Sequence, residues 1–585
     1  MRLHAPVILS ATLAICALAL ACDQRPADPA LPTADVTWRT IQRFSYSLST
    51  RSIWAASDAD IYIGFPSLEC SYDVCFGGEP EIQHFDGNSW SRVDLPIEDE
   101  DGPTSIWGTG STNVYVAVEH LYHFDGVNWT REPIDAFTVT GSAADNVFAS
   151  DRRSVFQFAS SSWDTLMTMN HFGVWSLSAS VDGSLWVSTY DSVLVWNSST
   201  WSSVHWPTTY GLDGLTALSS TTALALEASS IYDYPPTTKI YRWDGVQWTV
   251  DVTYPFVLEA LWSDGPSNVY GVGQGHVVHY DGQSWSELPR STGFDLKVVC
   301  QTPAGHVVVA GGTGKVAGFD GQQWRTLREG KLSRPDVLWA ESPTHLFASV
   351  GSLVFERNGD RWSENVLPVF SYVMAFGGLS HNDVFASMGN SSMLHYNGSV
   401  WTVAVDSLAG HQRDMCALPS GTILSGGEKS IYRFDGSWQP ILEGDFFVDA
   451  ITGDESGDIL AAGRDPSGYF VKYFAGSSWR EFRFPKDQPT GVCIGPEKDL
   501  FVAGTGGLYR WDGAQFAQVT PPRAGGFRDV FGVDQRVLAF TYDRVAVYDH
   551  GIVNVQEQGG AFNVTRMPDG AFVAFTGPGI GVWEP

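Results

Sequence analysis

LEALWSDGPSNVYGVGQGHVVHYDGQSWSEL, residues 258–288, holds four short apolar runs separated by turn residues. The first, Leu258 to Trp262, ends in a Gly/Pro/Ser/Asn turn, and the second, Val269 to Val272, ends at Gly273 to Gly275. The third, His276 to Tyr280, ends at Asp281-Gly282, and the fourth begins near Trp285 and stops before Pro289. Runs this short cannot form useful helices, and their Val, Tyr and Trp favour extended chain. Asp-Gly between extended runs signals a hairpin, for which a type I′ turn with positive φ at both central residues is expected. The unit therefore reads as a four-stranded antiparallel meander.

The closing segment, Phe-Asp-Gly-x-x-Trp or a worn copy of it, recurs at intervals of roughly 40 residues, the mark of a repeat architecture. Clear copies end at Trp90, Trp129, Trp248, Trp285 and Trp324. Looser copies end at Trp163, Trp201, Trp362, Trp401, Trp438 and Trp479, and at Phe516. With Trp38 and Val553 these anchors number fourteen. Four-stranded units at this period, with almost no helical pattern between them, read as β-propeller blades, whose radial packing protects sheet edges. The fold class is therefore all-β, a tandem β-propeller of fourteen four-stranded blades. A usual ring has about 4 to 8 blades, so two seven-bladed rings fit best; six plus eight is the other split. The even division gives a first propeller over 36–324 and a second over 325–585. The run around Trp38 is a fourth strand with no blade before it, and the C-terminal run ending at Trp583 lacks a fourth strand. Pairing the two would close a ring and make the chain pass between the rings twice.

The unit resembles kelch, galactose-oxidase-like and YVTN/WD-repeat propellers at the level of pattern, over about residues 36–585. It departs from each: Gly-Gly pairs are sporadic (Gly311-Gly312, Gly426-Gly427), and Asp and Gly are adjacent rather than spaced as in an Asp box. It is most similar to the HYDGxxW repeats of bacterial surface lipoproteins. That resemblance implies an exported, envelope-anchored propeller and no particular ligand.

The N-terminus fits that address. Arg2 precedes an apolar stretch from Ala5 to Ala21, a secretory signal over 1–21. Leu18-Ala19-Leu20-Ala21-Cys22 is similar to a lipobox, with Cys22 as the lipidated residue and 22–35 as a Pro/Ala-bearing tether. An ordinary signal cleaved near Ala21 is the alternative. Acidic residues outnumber basic ones 65 to 35, a net charge of −30 that argues against nucleic acid and against anionic lipid surfaces. Cys70 and Cys75 sit together in an insertion of the first repeat, where an exported protein would form a local disulfide. Cys300, Cys416 and Cys493 occupy the position held elsewhere by Trp54, Trp107, Trp262 and Trp339, so they read as core thiols on separate blades.

No His-Glu-x-x-His, Walker or Gly-x-Ser-x-Gly motif occurs, so no catalytic residue and no cofactor is assigned. The His84, His123, His279 and His395 series shares one repeat position and reads as structural, and no metal site is expected. Packing roles absorb nearly all 23 Trp, leaving Trp175 and Trp206 outside the blade pattern. Propeller ligands sit where the innermost strands begin. Three residues before the Trp/Cys position, a candidate channel mouth emerges: Arg51, Trp175, Glu259 and Lys297 in the first half, Asp336, Arg413, Asp449 and Phe527 in the second. The expectation is a non-catalytic, envelope-anchored binding or scaffold protein that recognises a protein or a glycan. A propeller hydrolase or lyase acting on glycans, with paired carboxylates in the channel, is the rival. A purely structural envelope component is the third reading.

Overall fold

A computed structural model describes residues 36–584, apart from 44–49, 66–67, 72–73, 78–80, 97–101, 171–172, 191, 207–213, 229–236, 290–294, 331–334, 366, 370, 419, 485–486, 496, 521–525, 534, 557–560 and 577–578, and without the side chains of 66–80 and Phe562. The signal and the Cys22 tether lie outside the described residues. Every element among those described is a β-strand.

The strands form fourteen four-stranded blades. Eleven are separate antiparallel sheets in strictly sequential or ring-closing order. In one more, Asn113–Phe124 runs through the turn and supplies both middle strands. The last two are fused, because Ile423–Phe434 serves as two strands of one blade and Trp438–Gly453 runs from its fourth strand into the first strand of the next. Blades 1 to 7 span 52–93, 105–136, 138–168, 174–205, 214–254, 260–287 and 296–328. Blades 8 to 13 span 337–365, 373–405, 412–483 (two blades), 489–518 and 529–556. Blade 14 combines 562–583 with Arg39–Arg43, which pairs antiparallel with Gly579–Trp583.

Two rings of seven follow from which blades share cores. Blade 1 packs on blade 7 through Ala55, Ile61 and Ile63 against Cys300, Val308 and Ala310. Blade 8 packs on blade 14 through Leu338, Leu346 and Phe355 against Met567, Phe575 and Ile580. The chain thus starts in the second ring, builds the whole first ring, and returns. The N-terminal strand of the 36–324 span belongs to the second ring, and blade 7 runs on to Arg328. Among the described residues the first ring exchanges no strand; its seam is joined by Thr50 N donating to Gly311 O at 3.3 Å, Trp90 Nε1 to Leu327 O at 2.8 Å and Arg328 Nε to Gln83 Oε1 at 2.9 Å.

Second strands such as Leu185–Thr189, Val307–Gly311 and Phe572–Thr576 are buried at every position. Each lies between two neighbouring blades, so both faces must be apolar, the pattern of sheets covered on both sides. Fourth strands face water, and their Trp staples one blade to the one before. Trp163 donates to Glu132 (2.9 Å), Trp285 to Asp251 (2.7 Å), Trp324 to Pro289 O (2.7 Å) and Trp362 to Gln42 (3.0 Å).

The recurring motif closes each hairpin in a way that differs from a type I′ turn. Phe85 and Trp90 are direct cross-strand partners with ring centroids 5.1 Å apart. Phe124–Trp129, Tyr280–Trp285 and Phe319–Trp324 repeat this at 5.1, 5.3 and 5.0 Å. Between the rings lies a four-residue loop in which only the Gly takes positive φ, 90° at Gly87 and 93° at Gly282. The Asp stays in ordinary backbone space because its carboxylate does the turning: Asp86 Oδ1 accepts Asn88 N at 2.9 Å and Ser89 N at 2.7 Å. Those amides hold the Asp86 carboxyl below its ordinary range.

The histidine series is part of the same frame. Each imidazole stacks on the second-strand aromatic ring and bonds an acceptor at that strand's start. His84 lies on Tyr62 and reaches Asp60, and His123 lies on Tyr115 and reaches Asn113. His279 lies on Tyr270 and reaches Asn268, and His395 lies on Phe385 and reaches Asp383. Cys300 and Cys493 are buried free thiols and Cys416 is a half-buried one. Trp206 packs between blades 4 and 5, donating to Thr189 O at 3.1 Å and lying 6.2 Å from Trp248.

Candidate functional site

The first strand of every blade begins at one end of its channel, and a backbone irregularity recurs there. In blades 4, 7, 9, 10, 11 and 12 the ladder skips one residue: Trp175, Lys297, Met374, Arg413, Asp449 and Thr490. A bulge re-aims its extra side chain away from the sheet's two packed faces. In blades 1, 2, 3, 6, 8 and 13 the equivalent residue precedes the first ladder pair and donates its N–H into it: Arg51, Thr104, Phe137, Glu259, Asp336 and Arg528. Asn563, with φ of 50°, takes the place in blade 14, and in blade 5 it falls on position 213, outside the described residues. Seven of the eight sequence-derived mouth residues hold this position. Phe527 does not: it is fully buried in the core of blades 12 and 13, and Arg528 stands at the mouth instead. The offset arises because no Trp or Cys marks blade 13, where Phe531 fills that place. Thr104, Phe137, Met374, Thr490 and Asn563 hold the same position and were not singled out in the sequence.

The mouth of the first ring has two unlike halves. On blades 3 and 4, Arg152 lies over the Phe137 ring at 4.0 Å, an arrangement that favours a cation. Its carbonyl accepts the Gly173 and Val174 amides at 3.0 Å, which sets the start of the Trp175 strand. Trp175 is 68% exposed and Tyr190, on the adjoining turn of the same blade, is 75% exposed; their ring centroids are 6.4 Å apart at 49°. Every other described Trp is at least partly covered by packing. Across the mouth, Lys297 Nζ bonds Glu259 of blade 6 at 2.8 Å and Asp295 at 3.0 Å. Burial alone would lower the Lys297 ammonium, but the two carboxylates raise it. Asp295 is buried, and burial raises its carboxyl against the pull of Lys297. Arg51 is exposed beside this triad on blade 1.

The mouth of the second ring gathers guanidinium groups. Arg413 Nη1 lies 3.2 Å from Asp449 Oδ1, joining blades 10 and 11, and Arg528 is exposed on blade 13. Arg413 and Arg464 approach the ring of Phe447 at 6.0 and 5.1 Å. Asp336 is exposed on blade 8 and accepts the Gly351 amide at 2.8 Å. One residue past the mouth, Asp414 and Asp529 each accept a backbone amide from the next blade, Ile451 N at 2.8 Å and Val564 N at 3.2 Å. Burial pushes these carboxyls up to about 7 and about 6.

The rings meet along the mouth-side rim of blades 7 and 8. Glu364, in the strand Arg361–Asn365 of blade 8, sits against Thr313, Lys315 and the Asp295 backbone of blade 7. Leu353 covers the Gly312 backbone so closely that an added Cβ would lie 3.5 Å from its Cδ1. Burial pushes the Glu364 carboxyl up to about 8, with Lys315 opposing and the Asp295 charge reinforcing. The insertion hairpin of blade 1, Leu68–Ser71 with Val74–Gly77, extends from the same end of the first ring and places Cys70 directly opposite Cys75 in the ladder. Their side chains lie outside the described residues. Among the described residues, no group of three or more His, Cys, Asp or Glu is placed to hold a metal ion.

No family model matches the chain, and no curated protein matches it. Solved structures resemble it loosely. The extracellular domain of BT3049 from B. thetaiotaomicron is 12% identical, with a TM-score of 0.36 over 92% of this chain and 82% of that one. The extracellular domain of BT4673 from the same organism is 10% identical, with a TM-score of 0.37 over 94% and 82%. YCF48 bound to D1 peptide is 14% identical, with a TM-score of 0.36 over 50% of this chain and 99% of that one.

Proposed function

We propose that this chain is a non-catalytic, exported binding protein, held to the cell envelope through Cys22, whose first ring captures a glycan across its channel mouth. One observation carries the reading: Trp175 and Tyr190 stand exposed together at the mouth of a molecule that covers its other tryptophans. Leaving two large aromatic faces in water forgoes their burial, roughly 1.5–3 kcal/mol for a large apolar side chain. Pyranose rings present flat C–H faces to such a platform. Arg51 and Glu259 stand across the opening as hydrogen-bonding groups for the hydroxyls.

The hydrolase reading draws on one feature, the Glu259 and Asp295 carboxylates. Both contact Lys297 Nζ, so they lie within about 6 Å of each other, near the spacing of a retaining pair. The ammonium between them occupies the place a scissile bond would need, and the Asp295 side chain is 8% exposed. The triad therefore reads as a positioning lock rather than an acid and a nucleophile.

The test is a glycan array and affinity electrophoresis with wild type, Trp175→Ala and Tyr190→Ala. Retention of a glycan by wild type, lost in both variants at unchanged melting temperature, is the expected result. Binding of a polypeptide at this mouth with no glycan retained would refute the ligand class, and release of reducing ends would refute the non-catalytic reading.

A further inference from the structure

The second mouth differs from the first in chemistry. The chain carries a net charge of −30, yet blades 10 and 11 bring two guanidinium groups to one aromatic face. Phe447 and Arg464 are cross-strand partners, so their side chains emerge on the same side of blade 11. Arg413 reaches over from blade 10 to the same ring and to Asp449 Oδ1. The Asp449 side chain is 10% exposed, and its second oxygen, Oδ2, has no hydrogen-bond partner among the described residues. Glu428, opposite Phe447 in the ladder, lies near His411 and Lys429, both at 3.7 Å. A buried carboxylate oxygen without a donor is costly, and a ligand N–H or O–H would relieve that cost.

We propose that this cluster is a second binding site, separate from the aromatic platform, for a monoanionic carboxylate that carries a hydrogen-bond donor within two bonds. Arg464 and Arg413 present planar N–H forks that match a carboxylate's two oxygens. Asp449 Oδ2 accepts the neighbouring O–H or N–H, and Phe447 supports the carbon skeleton. The Asp449 charge disfavours a dianion, which sets a carboxylate apart from sulfate. Two sources present this group: a hexuronate, with a ring hydroxyl beside the carboxylate, and a polypeptide C-terminus, with an amide N–H.

Saturation-transfer NMR titrations of the lipid-free mature chain with sodium D-galacturonate, N-acetylglycylglycine, D-galactose and sodium sulfate test it. Sulfate, which carries no protons, is read as a competitor. At least one carboxylate binds and galactose does not; which carboxylate binds more tightly identifies the source. Arg413→Gln/Arg464→Gln, checked for an unchanged melting temperature, weakens it at least about tenfold, as expected for charge-assisted hydrogen bonds. Asp449→Asn strengthens competition by sulfate. Failure of both carboxylates to bind, sulfate competing as tightly as they bind to wild type, or binding untouched by the double arginine change overturns the proposal. If the arginine pair unfolds the ring, Arg464→Lys serves instead: it keeps charge but not the planar fork, and must still weaken carboxylate binding.

Discussion

Replacing Glu364 by Gln should remove a pH dependence of stability that originates at the contact between the rings. Glu364 is covered by blade 7, and its carboxyl is raised from 4.5 to about 8 by burial, with the Asp295 charge reinforcing and Lys315 opposing. In the folded chain it keeps its proton over a range where the unfolded chain has lost it. Stability therefore falls as pH rises from about 4.5 to about 8 and is flat with respect to this group outside that window. That span is roughly 3.5 pH units at about 1.36 kcal/mol each, so up to about 5 kcal/mol of the stability present at pH 4.5 is gone by pH 8. For a ring of this size about 1 kcal/mol corresponds to roughly 2 °C, so the melting shift is on the order of 5–10 °C. Gln has the shape and neutrality of the protonated acid. Glu364→Gln should match wild type near pH 5 and melt several degrees higher at pH 8 to 9, read by calorimetry at fixed ionic strength. Asp414 and Asp529 push wild-type stability in the same direction. His123 and His279, lowered by burial, cost stability as pH falls. These groups are unchanged in the variant, so only the difference between the two curves reports on Glu364. Parallel curves from pH 5 to 9 would refute a buried, protonated Glu364 and with it the tight ring contact.

Deleting residues 36–43 should open the second ring, because the strand Arg39–Arg43 completes blade 14; limited proteolysis should cut residues 337–583 while sparing 52–328. Trp285→Ala removes both the hairpin-closing contact with Tyr280 and the bond to Asp251. It should cost about 2–4 kcal/mol in urea unfolding, somewhat below a fully buried Trp. Gly87→Ala forces a side chain into φ of 90° and within 2.7 Å of Ala59 Cβ, and should lower the melting temperature in a thermal scan. The ladder pairing of Cys70 and Cys75 puts their Cα atoms within reach of a disulfide, about 4.5–5.5 Å for directly opposed antiparallel residues. Mass spectrometry of the chain produced in an oxidising compartment, without reductant, should show a bridge between Cys70 and Cys75, and two free thiols there would contradict it.

Blade number was legible because the repeat is a packing device, whereas the ring that takes the N-terminal strand is read from its pairing with Gly579–Trp583. Phe-Asp-Gly-x-x-Trp recurs since most hairpins need the same capped loop and aromatic pair, so counting the twelve Trp anchors with Phe516 and Val553 counts blades. The turn type was misread for an instructive reason. Asp-Gly in a two-residue hairpin needs positive φ at both positions, whereas here the loop has four residues and the Asp carboxylate replaces that strain with two hydrogen bonds. Trp206 reads as an exception only along the chain; in space it is one more inter-blade filler. Trp175 remained an exception because a bulge turns it out of the sheet, and one sequence gives no signal for a bulge.

The residues missed at the mouths share a cause. Tyr190, Arg152 and Arg464 lie at the ends of second strands, and the pairing of first and second strands within a blade brings them beside mouth residues about fifteen positions away, while Phe447 precedes Asp449 on its own first strand. The triad joining Glu259, Lys297 and Asp295 shows what such closure can add. Its Glu259 end faces the first mouth, while Asp295 abuts Glu364 of the other ring. Ionising Glu364 would place a second negative charge beside Asp295, favouring the Asp295 end of the Lys297 pair over the Glu259 end. If the first mouth uses Glu259 for its ligand, affinity there should change between pH 6 and 9 in wild type and stay level in Glu364→Gln. On that outcome the contact between the rings would set the charge that Glu259 offers at the first mouth.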